Sequence, residues 1–199
     1  MKDKTLFNEQ YKYLRTNVKF AGANIKSIVV TSGYFGEGKT SVAANLAKSL
    51  ALSNHKVVIV DMDLRRPSLR NFYDIDTEIG VTNVVVNKMD YNLAISHDES
   101  IWDLDIIHAG AIPPNANELI SSEAMKNFIR ILEDNYDYVI IDTPPIEAYS
   151  DAVVLSAICD ATLLVYKVGE TKKSDIEKSI DSIRNVNGNL IGLVRINEK

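Results

Sequence analysis

Two short apolar runs that end in aspartate, VVIVD at 57–61 and YVIID at 138–142, constrain the fold of this chain more than any other feature. Continuous runs of β-branched residues are typical of strands covered on both faces, as the central strands of a parallel sheet are. Helical periodicity separates such runs along most of the chain. The alternation predicts an α/β fold with a mainly parallel central sheet and helices on both faces.

The same pattern predicts where the elements begin and end. Strands are expected over 27–31, 56–61, 104–108, 138–142, 161–167 and 190–196, and helices over 39–53, 122–134 and 173–186. The segment 74–100 is less regular, and we interpret it as a surface excursion. Because the 199 residues contain no repeat and no linker, we expect a single domain over 1–199.

The stretch GYFGEGKT at 33–40 matches the phosphate-binding pattern G-x-x-x-x-G-K-[ST], and it lies between the strand SIVVTS and a helical pattern. Its glycines allow successive backbone N–H groups to face phosphate oxygens at a helix N-terminus. The lysine would reach the β- and γ-phosphates, and the threonine hydroxyl would ligate Mg²⁺. The pattern therefore predicts a P-loop NTPase fold that uses ATP and Mg²⁺. The predicted nucleotide-binding residues are Gly33, Gly36, Glu37, Gly38, Lys39, Thr40 and Ser41.

Three carboxylates are predicted at the same edge of the sheet. Asp142 ends a strand, where P-loop proteins place the acid that holds Mg²⁺ or a water of its shell. Asp61 and Asp63 project to one side of an extended segment, and they would repel each other without a cation. We therefore predict Thr40, Asp61 and Asp142 as metal ligands, and Lys39, Asp61, Asp63 and Asp142 as catalytic residues. Either Asp61 or Asp63 would accept the proton of an attacking hydroxyl.

Charge and composition exclude several classes of function. The net charge is -5 and no long basic run is present, so we expect no nucleic-acid partner. No apolar run approaches the ~20 residues that cross a bilayer. The single cysteine, Cys159, lies in an apolar run and excludes a disulfide framework. We expect a cytoplasmic protein that reaches a membrane through a partner.

The motifs SGYFGEGKTSVAANLA, VVIVDMDLRRP, PPNANELI and YDYVIIDTPP resemble, in order and spacing, those of bacterial tyrosine kinases of capsule and exopolysaccharide synthesis. The resemblance covers the chain from about residue 9 to its end. It implies transfer of the ATP γ-phosphoryl group to tyrosine-containing proteins, in trans between subunits. It also implies that Lys39 binds the phosphates, that Thr40 binds Mg²⁺, and that Asp61, Asp63 and Asp142 serve catalysis.

The family's subunit-contact motif, E-x-x-R-x-x-R, appears here as Glu9, Lys12 and Arg15, within a helix expected over about 5–20. The resemblance implies a homo-oligomer, in this family a ring, assembled through these residues. Lysine in the middle position keeps the charge but loses the bidentate guanidinium. The resemblance further implies an activator, a membrane protein whose cytosolic tail recruits the chain to the inner face of the cell membrane.

The tyrosines depart from the family pattern. Kinases of this family usually end in a cluster of tyrosines, whereas the last tyrosine here is Tyr166, inside a predicted strand. The acceptor is therefore either a segment outside the given sequence or another protein. Within the sequence, the tyrosines expected to be most exposed are Tyr11, Tyr13, Tyr73 and Tyr91.

Two other functions compete with the kinase. Positioning ATPases share a loop of the form G-K-G-G-x-G-K-[ST], but the position of their extra lysine is Tyr34 here. That change removes a charge-stabilising cation on which their mechanism depends. A nucleotide-dependent scaffold of the polysaccharide machinery would explain the missing tyrosine cluster, but it would not need the full set of carboxylates. A protein-tyrosine kinase is the function that we predict.

Overall fold

A computed structural model describes residues 2–73, 75, 77–98 and 100–197, with side chains from residue 9 onward. Its strands are β1 (Ser27–Ser32), β2 (Val57–Asp61), β3 (Ile95–His97), β4 (Leu104–Ile107), β5 (Tyr138–Asp142), β6 (Ala161–Lys167) and β7 (Leu190–Ile196). In the described part of the chain they form one seven-stranded sheet in the order β3-β4-β2-β5-β1-β6-β7. Only the β3–β4 pair is antiparallel. The prediction of a mainly parallel α/β sheet is confirmed.

Helices cover both faces of this sheet, as predicted. They are α1 (Lys2–Ala21), α2 (Lys39–Ala51), α3 (Val81–Asn87), α4 (Ala116–Ile120), α5 (Glu123–Asn135), α6 (Asp151–Ile158) and α7 (Lys173–Asn185), with 3-10 turns at Leu69–Asn71 and Tyr91–Ala94. The helices α3 to α6 bury apolar side chains against one face, and α1 and α2 bury theirs against the other. None of the helices in the described residues combines the length and the apolar character of a bilayer-spanning segment.

The central strands bring the predicted carboxylates to one edge of the sheet. β1, β2 and β5 lie side by side and are almost completely buried, which explains the apolar runs before the terminal aspartates of β2 and β5. In the parallel register Asp61 pairs with Asp142, and Val30 of β1 pairs with Asp142 on the other side. The loop after β1 therefore leaves the sheet beside both aspartates, at the carboxyl edge where α/β sheets bind ligands.

The interpretation of 74–100 as a surface excursion is wrong for the residues of α3 and β3. Val81 and Val85 of α3 are buried in the core, and β3 extends the sheet by pairing antiparallel with β4. The sequence pattern indicates neither α3 nor β3. The helix VTNVVVN is rich in β-branched residues, which favour strands, and β3 has only three residues. Asp74, Asp76 and Glu99 lie outside the described residues.

The N-terminal helix forms as expected and packs against α2. Tyr11 and Val18 are buried at this contact, and the hydroxyl of Ser49 donates a hydrogen bond to the carbonyl of Tyr11 at 3.3 Å. The helix α1 is therefore attached to the domain along one side. Its opposite side, which includes Glu9 and Lys12, is exposed.

Candidate active site

The loop between β1 and α2 has the backbone that a phosphate site requires. Gly36 and Gly38 are in the left-handed region, with φ of 82° and 86°, and Gly38 is the N-cap of α2. L-residues with a side chain rarely adopt this conformation, so glycine is needed at both positions. Left-handed residues followed by a helix N-terminus are the components of an anion-binding nest. The loop is thus built to bind phosphate with its amides.

Glu37 was predicted among the nucleotide-binding residues, but its side chain forms hydrogen bonds within the protein. Its buried carboxylate accepts a hydrogen bond from the N–H of Tyr34 at 2.8 Å, and another from the hydroxyl of Thr171. That hydroxyl in turn accepts from the N–H of Lys167 at 3.0 Å. Glu37 therefore joins the phosphate loop to the loop after β6, which leaves only its backbone to face a nucleotide.

The polar residues that open α2 lie within reach of the carboxylates. Nζ of Lys39 lies 3.7 Å from Oδ2 of Asp63 and 3.4 Å from the hydroxyl of Thr40. The hydroxyl of Thr40 also shares a hydrogen bond of 3.0 Å with the hydroxyl of Ser68. Ser41 lies one residue on, where it contacts the hydroxyl of Tyr11. Lys39 and Thr40 thus occupy the positions that a P-loop gives to its phosphate-binding and metal-binding side chains.

Asp61 is buried and fully hydrogen-bonded to the backbone. Its carboxylate accepts from the N–H groups of Asp63, Ser68 and Leu69, at 3.1, 2.9 and 3.0 Å. Burial raises the pKa of this carboxyl above its usual range, although the three N–H groups oppose the shift. Asp61 therefore holds the segment after β2 in a fixed shape.

Asp142 is equally buried, but among the described residues neither of its carboxylate oxygens has a hydrogen-bond partner. Burial raises its pKa as well, with Lys39 opposing the shift and Asp61 adding to it. A buried carboxylate without donors is costly, so such a group in a native fold calls for an unseen cation or a proton. Asp142 is the strongest sign of a metal site in this structure.

Asp63 differs from both. One oxygen accepts the N–H of Arg66 at 2.9 Å, and among the described residues the other is held only by the ammonium of Lys39. A lysine side chain is flexible and can move to another anion. The structure therefore places Lys39, Thr40, Asp61, Asp63 and Asp142 close together, and it gives the three carboxylates three different environments.

No cluster of three or more histidine, cysteine or acidic side chains suited to hold a metal occurs among the described residues. A magnesium ion at a P-loop does not require one, because a hydroxyl, one carboxylate, water and the phosphates complete its shell. The pair of Thr40 and Asp142 fits that donor set. Cys159 is buried, and burial raises the pKa of its thiol, as expected of a core cysteine.

Sequence reasoning missed a cluster of arginine and aromatic side chains beside the loop. The guanidinium of Arg65 pairs with the buried carboxylate of Asp151 at 3.2 Å and lies 4.3 Å from the ring centre of Tyr149. The guanidinium of Arg66 lies 5.0 Å from the ring centre of Phe35. In the sequence, only the dipeptide Arg65-Arg66 after DMDL could have indicated this cluster. The partners of the two arginines come from distant segments of the chain.

The predicted subunit-contact residues separate into two groups. Lys12 and Glu9 form an exposed ion pair of 2.6 Å on α1. Arg15 instead turns toward its own domain, and Nη1 donates to the carbonyl of Ser49 at 2.8 Å. Glu9 and Lys12 are therefore available to a neighbouring subunit, whereas Arg15 already has a partner within the chain.

The tyrosines expected to be exposed are not all at the surface. Tyr13 is 71% exposed, whereas Tyr11 is buried. Tyr73 is mostly buried, and its hydroxyl donates to the carbonyl of Ala44 at 3.0 Å. Tyr91 is half-buried. The prediction is therefore wrong for Tyr11 and Tyr73, because both pack against α2.

Comparison with known proteins gives a consistent set of matches. Residues 25–191 match the family described as the AAA domain. The tyrosine-protein kinase YwqD of Bacillus subtilis is 36% identical over 198 residues, which cover 98% of this chain and 83% of YwqD. The kinase domain of the Escherichia coli tyrosine kinase ETK superposes with a TM-score of 0.91 at 30% identity, over 96% of this chain and 76% of that one.

A positioning ATPase also superposes, at lower similarity. The cell division ATPase MinD of Pyrococcus furiosus has a TM-score of 0.72 at 24% identity, over 84% of this chain and 70% of that one. Identity at this level shows the shared fold alone, which is the P-loop NTPase fold that the sequence predicted. It does not favour a positioning function over the kinase.

Proposed function

The chain belongs to the family of bacterial tyrosine kinases of capsule and exopolysaccharide synthesis, and from that premise we propose that Lys39, Asp63 and Asp142 transfer the γ-phosphoryl group of ATP to a tyrosine hydroxyl. The observation that carries this assignment is the position of Asp63. Its carboxylate lies next to the lysine of the phosphate loop, and one of its oxygens has no partner that is fixed in place. A carboxylate at that point can accept the proton of a hydroxyl that attacks the γ-phosphorus.

The nucleotide would lie with its phosphates on the loop. The amides around Gly36 and Gly38 and the ammonium of Lys39 would surround the β- and γ-phosphates. Most catalysis of phosphoryl transfer comes from positioning and from neutralising negative charge. When a phosphate draws Lys39 toward it, Asp63 loses its cation and Oδ2 becomes available to accept a proton.

A magnesium ion would be held by the hydroxyl of Thr40 and the carboxylate of Asp142, directly or through water. Bound there, Mg²⁺ supplies positive charge to the phosphoryl group that is transferred. Asp61 lies beside Asp142 in the sheet, and its three backbone hydrogen bonds fit it better for holding the loop that carries Asp63. We therefore propose Asp63, and not Asp61, as the proton acceptor.

The chemical step is a single displacement. The phenolic oxygen of the acceptor forms a bond to the γ-phosphorus, while the bond from that phosphorus to the β–γ bridging oxygen breaks. The electron pair of the broken bond leaves with ADP. The phenolic proton passes to the carboxylate of Asp63, which hands it to water after the product leaves.

We extend the proposal to assembly and location. The exposed pair of Glu9 and Lys12 on α1 would contact a second copy of the chain, so that the acceptor tyrosine arrives in trans in a homo-oligomer such as a ring. The cytosolic tail of a membrane activator would recruit the complex to the inner face of the membrane. The family supports both the oligomer and the activator, and the exposed ion pair on α1 supports the oligomer.

The reaction class is tested by offering purified chain and Mg-ATP a copolymer of glutamate and tyrosine, and a matched copolymer in which phenylalanine replaces tyrosine. We expect acid-stable label on the first polymer only, identified as phosphotyrosine after hydrolysis. Release of free phosphate with no label on either polymer or on the chain itself would contradict a kinase and favour an ATPase scaffold.

A further inference from the structure

An aromatic ring and a guanidinium group lie side by side next to the site. Phe35, on the phosphate loop, is 47% exposed. The guanidinium carbon of Arg66 lies 5.0 Å from the centre of its ring. The backbone N–H of Arg66 is bonded to Asp63 at 2.9 Å, so this pair is anchored next to the proposed proton acceptor.

Arg66 differs from its neighbour Arg65 in how its charge is used. Arg65 donates two hydrogen bonds to the buried carboxylate of Asp151, at 3.2 and 3.3 Å, and is thereby neutralised. Among the described residues, no carboxylate lies within 4.0 Å of the guanidinium of Arg66. Arg66 is exposed, so its positive charge is free to meet an incoming anion.

The ion pair of Arg65 and Asp151 supports the two aromatic rings beside Arg66, those of Tyr149 and Phe35. Tyr149 lies under the guanidinium of Arg65, and its ring meets that of Phe35 edge to face, with 6.4 Å between centroids. Aromatic pairs favour this geometry, and a further ring can stack on a face that remains exposed. Phe35 and Arg66 therefore present an exposed ring and an exposed cation beside Asp63.

We propose that Phe35 and Arg66 form the docking surface for the acceptor, and that they select a tyrosine flanked by an acidic side chain. This inference rests on the proposed function. The aromatic face of Phe35 packs against the acceptor segment, and Arg66 pairs with the flanking carboxylate. The charge is complementary at this point although the chain as a whole carries -5.

The test uses two peptides of equal length, one with glutamates and one with lysines beside a single tyrosine. For the unchanged protein we expect kcat/KM to favour the acidic peptide by about three- to tenfold at low salt. Arg66→Glu should abolish or reverse that preference, and Phe35→Ala should raise KM for both peptides. Arg70→Ala is the matched control, because Arg70 is exposed on the same segment but pairs with Glu78.

A binding measurement separates this inference from the kinase itself. The same acidic peptide with phenylalanine in place of tyrosine is titrated into the chain with a non-hydrolysable ATP analogue, and fluorescence anisotropy reports its affinity. We expect weaker binding to Arg66→Glu and unchanged binding to Arg70→Ala, whether or not transfer is observed. Equal peptide affinity for Arg66→Glu and the unchanged protein would overturn the docking surface. So would a loss of analogue binding in Arg66→Glu, which would assign this arginine to the nucleotide.

Discussion

The ammonium of Lys39 lies 3.7 Å from the carboxylate of Asp63, and the two side chains are only 12% and 2% exposed. A nucleotide that binds the loop must compete with this ion pair for the lysine. The same competition frees the carboxylate that we propose as proton acceptor. In the proposed mechanism, Lys39 would therefore couple nucleotide binding to activation of the acceptor hydroxyl.

Removal of this carboxylate is expected to tighten nucleotide binding. In Asp63→Asn, Lys39 has no anionic competitor, so the Kd of a non-hydrolysable ATP analogue should fall by about two- to fivefold, the size of a partly screened ion pair. Isothermal titration calorimetry measures it. Asp181→Asn, which removes an exposed carboxylate from α7, should leave the Kd unchanged. Weaker binding to Asp63→Asn would show that the pair does not restrain Lys39.

The uncompensated carboxylate of Asp142 predicts a dependence of stability on pH. Its pKa in the folded state lies above the ordinary 3.8, so the folded chain holds this proton more tightly than the unfolded chain does. The stability from this group is present below the ordinary pKa and is lost as the pH rises through the raised one. Without ligand, the Tm should be lower at about pH 7.5 than at about pH 5.5.

Asp142→Asn tests whether that carboxylate is the cause. The neutral amide avoids the cost of a buried charge, so the variant should have a Tm about 2–4 °C higher than the unchanged chain at neutral pH, and a flatter pH profile. It should also lose the extra stabilisation that Mg²⁺ gives in the presence of nucleotide. Differential scanning fluorimetry reports all three effects. A variant that is less stable at neutral pH would contradict this account of Asp142.

The hydrogen bond between Thr171 and Glu37 is expected to position the phosphate loop for ATP binding. In Thr171→Val the carboxylate of Glu37 loses a hydroxyl donor, and the phosphate loop loses its tie to the loop after β6. We expect KM for ATP to rise several-fold with a smaller change in kcat, because uniform binding is weakened. Thr16→Val is the matched control, since its hydroxyl bonds only the carbonyl of Lys12 within α1. A change confined to kcat would contradict a positioning role.

Close packing at Gly80 predicts a strong effect on stability. A Cβ at this position would lie 2.3 Å from the backbone nitrogen of Gly110 and 2.4 Å from the carbonyl oxygen of His108. Backbone atoms cannot yield as a side chain does, so Gly80→Ala should lower stability by about 3 kcal/mol or more. Thermal unfolding is the readout. Gly192→Ala, whose Cβ would make an ordinary contact of 3.5 Å, should change it little.

The parts of this fold that could be predicted from sequence are those with local signals. The apolar runs that end in Asp61 and Asp142 marked two central strands, and the glycines at 36 and 38 marked the left-handed turns of the loop. The helix expected over 122–134 is α5, and Met125 and Phe128 are among its buried residues. In each case the residue type itself restricts the backbone or its burial.

The remaining features depend on contacts between distant segments. Arg65 meets Asp151 across 86 residues, and Glu37 meets Thr171 across 134. No local pattern encodes such pairs. Trp102 is 95% exposed, although a side chain of this size is usually largely buried. The helix α6 was missed because the apolar sequence DAVVLSAI shows no amphipathic period.

The central claim is that Asp63, and not Asp61, accepts the proton of the tyrosine during phosphoryl transfer. The most direct test is the rate of phosphotyrosine formation on the glutamate–tyrosine copolymer by Asp63→Asn and Asp61→Asn, with Tm measured for each. We predict that Asp63→Asn changes the Tm less than Asp61→Asn does and loses about 100-fold or more in rate. Asp61→Asn should lower the Tm, because its amide cannot accept all three backbone N–H groups. Near-normal phosphotyrosine formation by Asp63→Asn would contradict the mechanism.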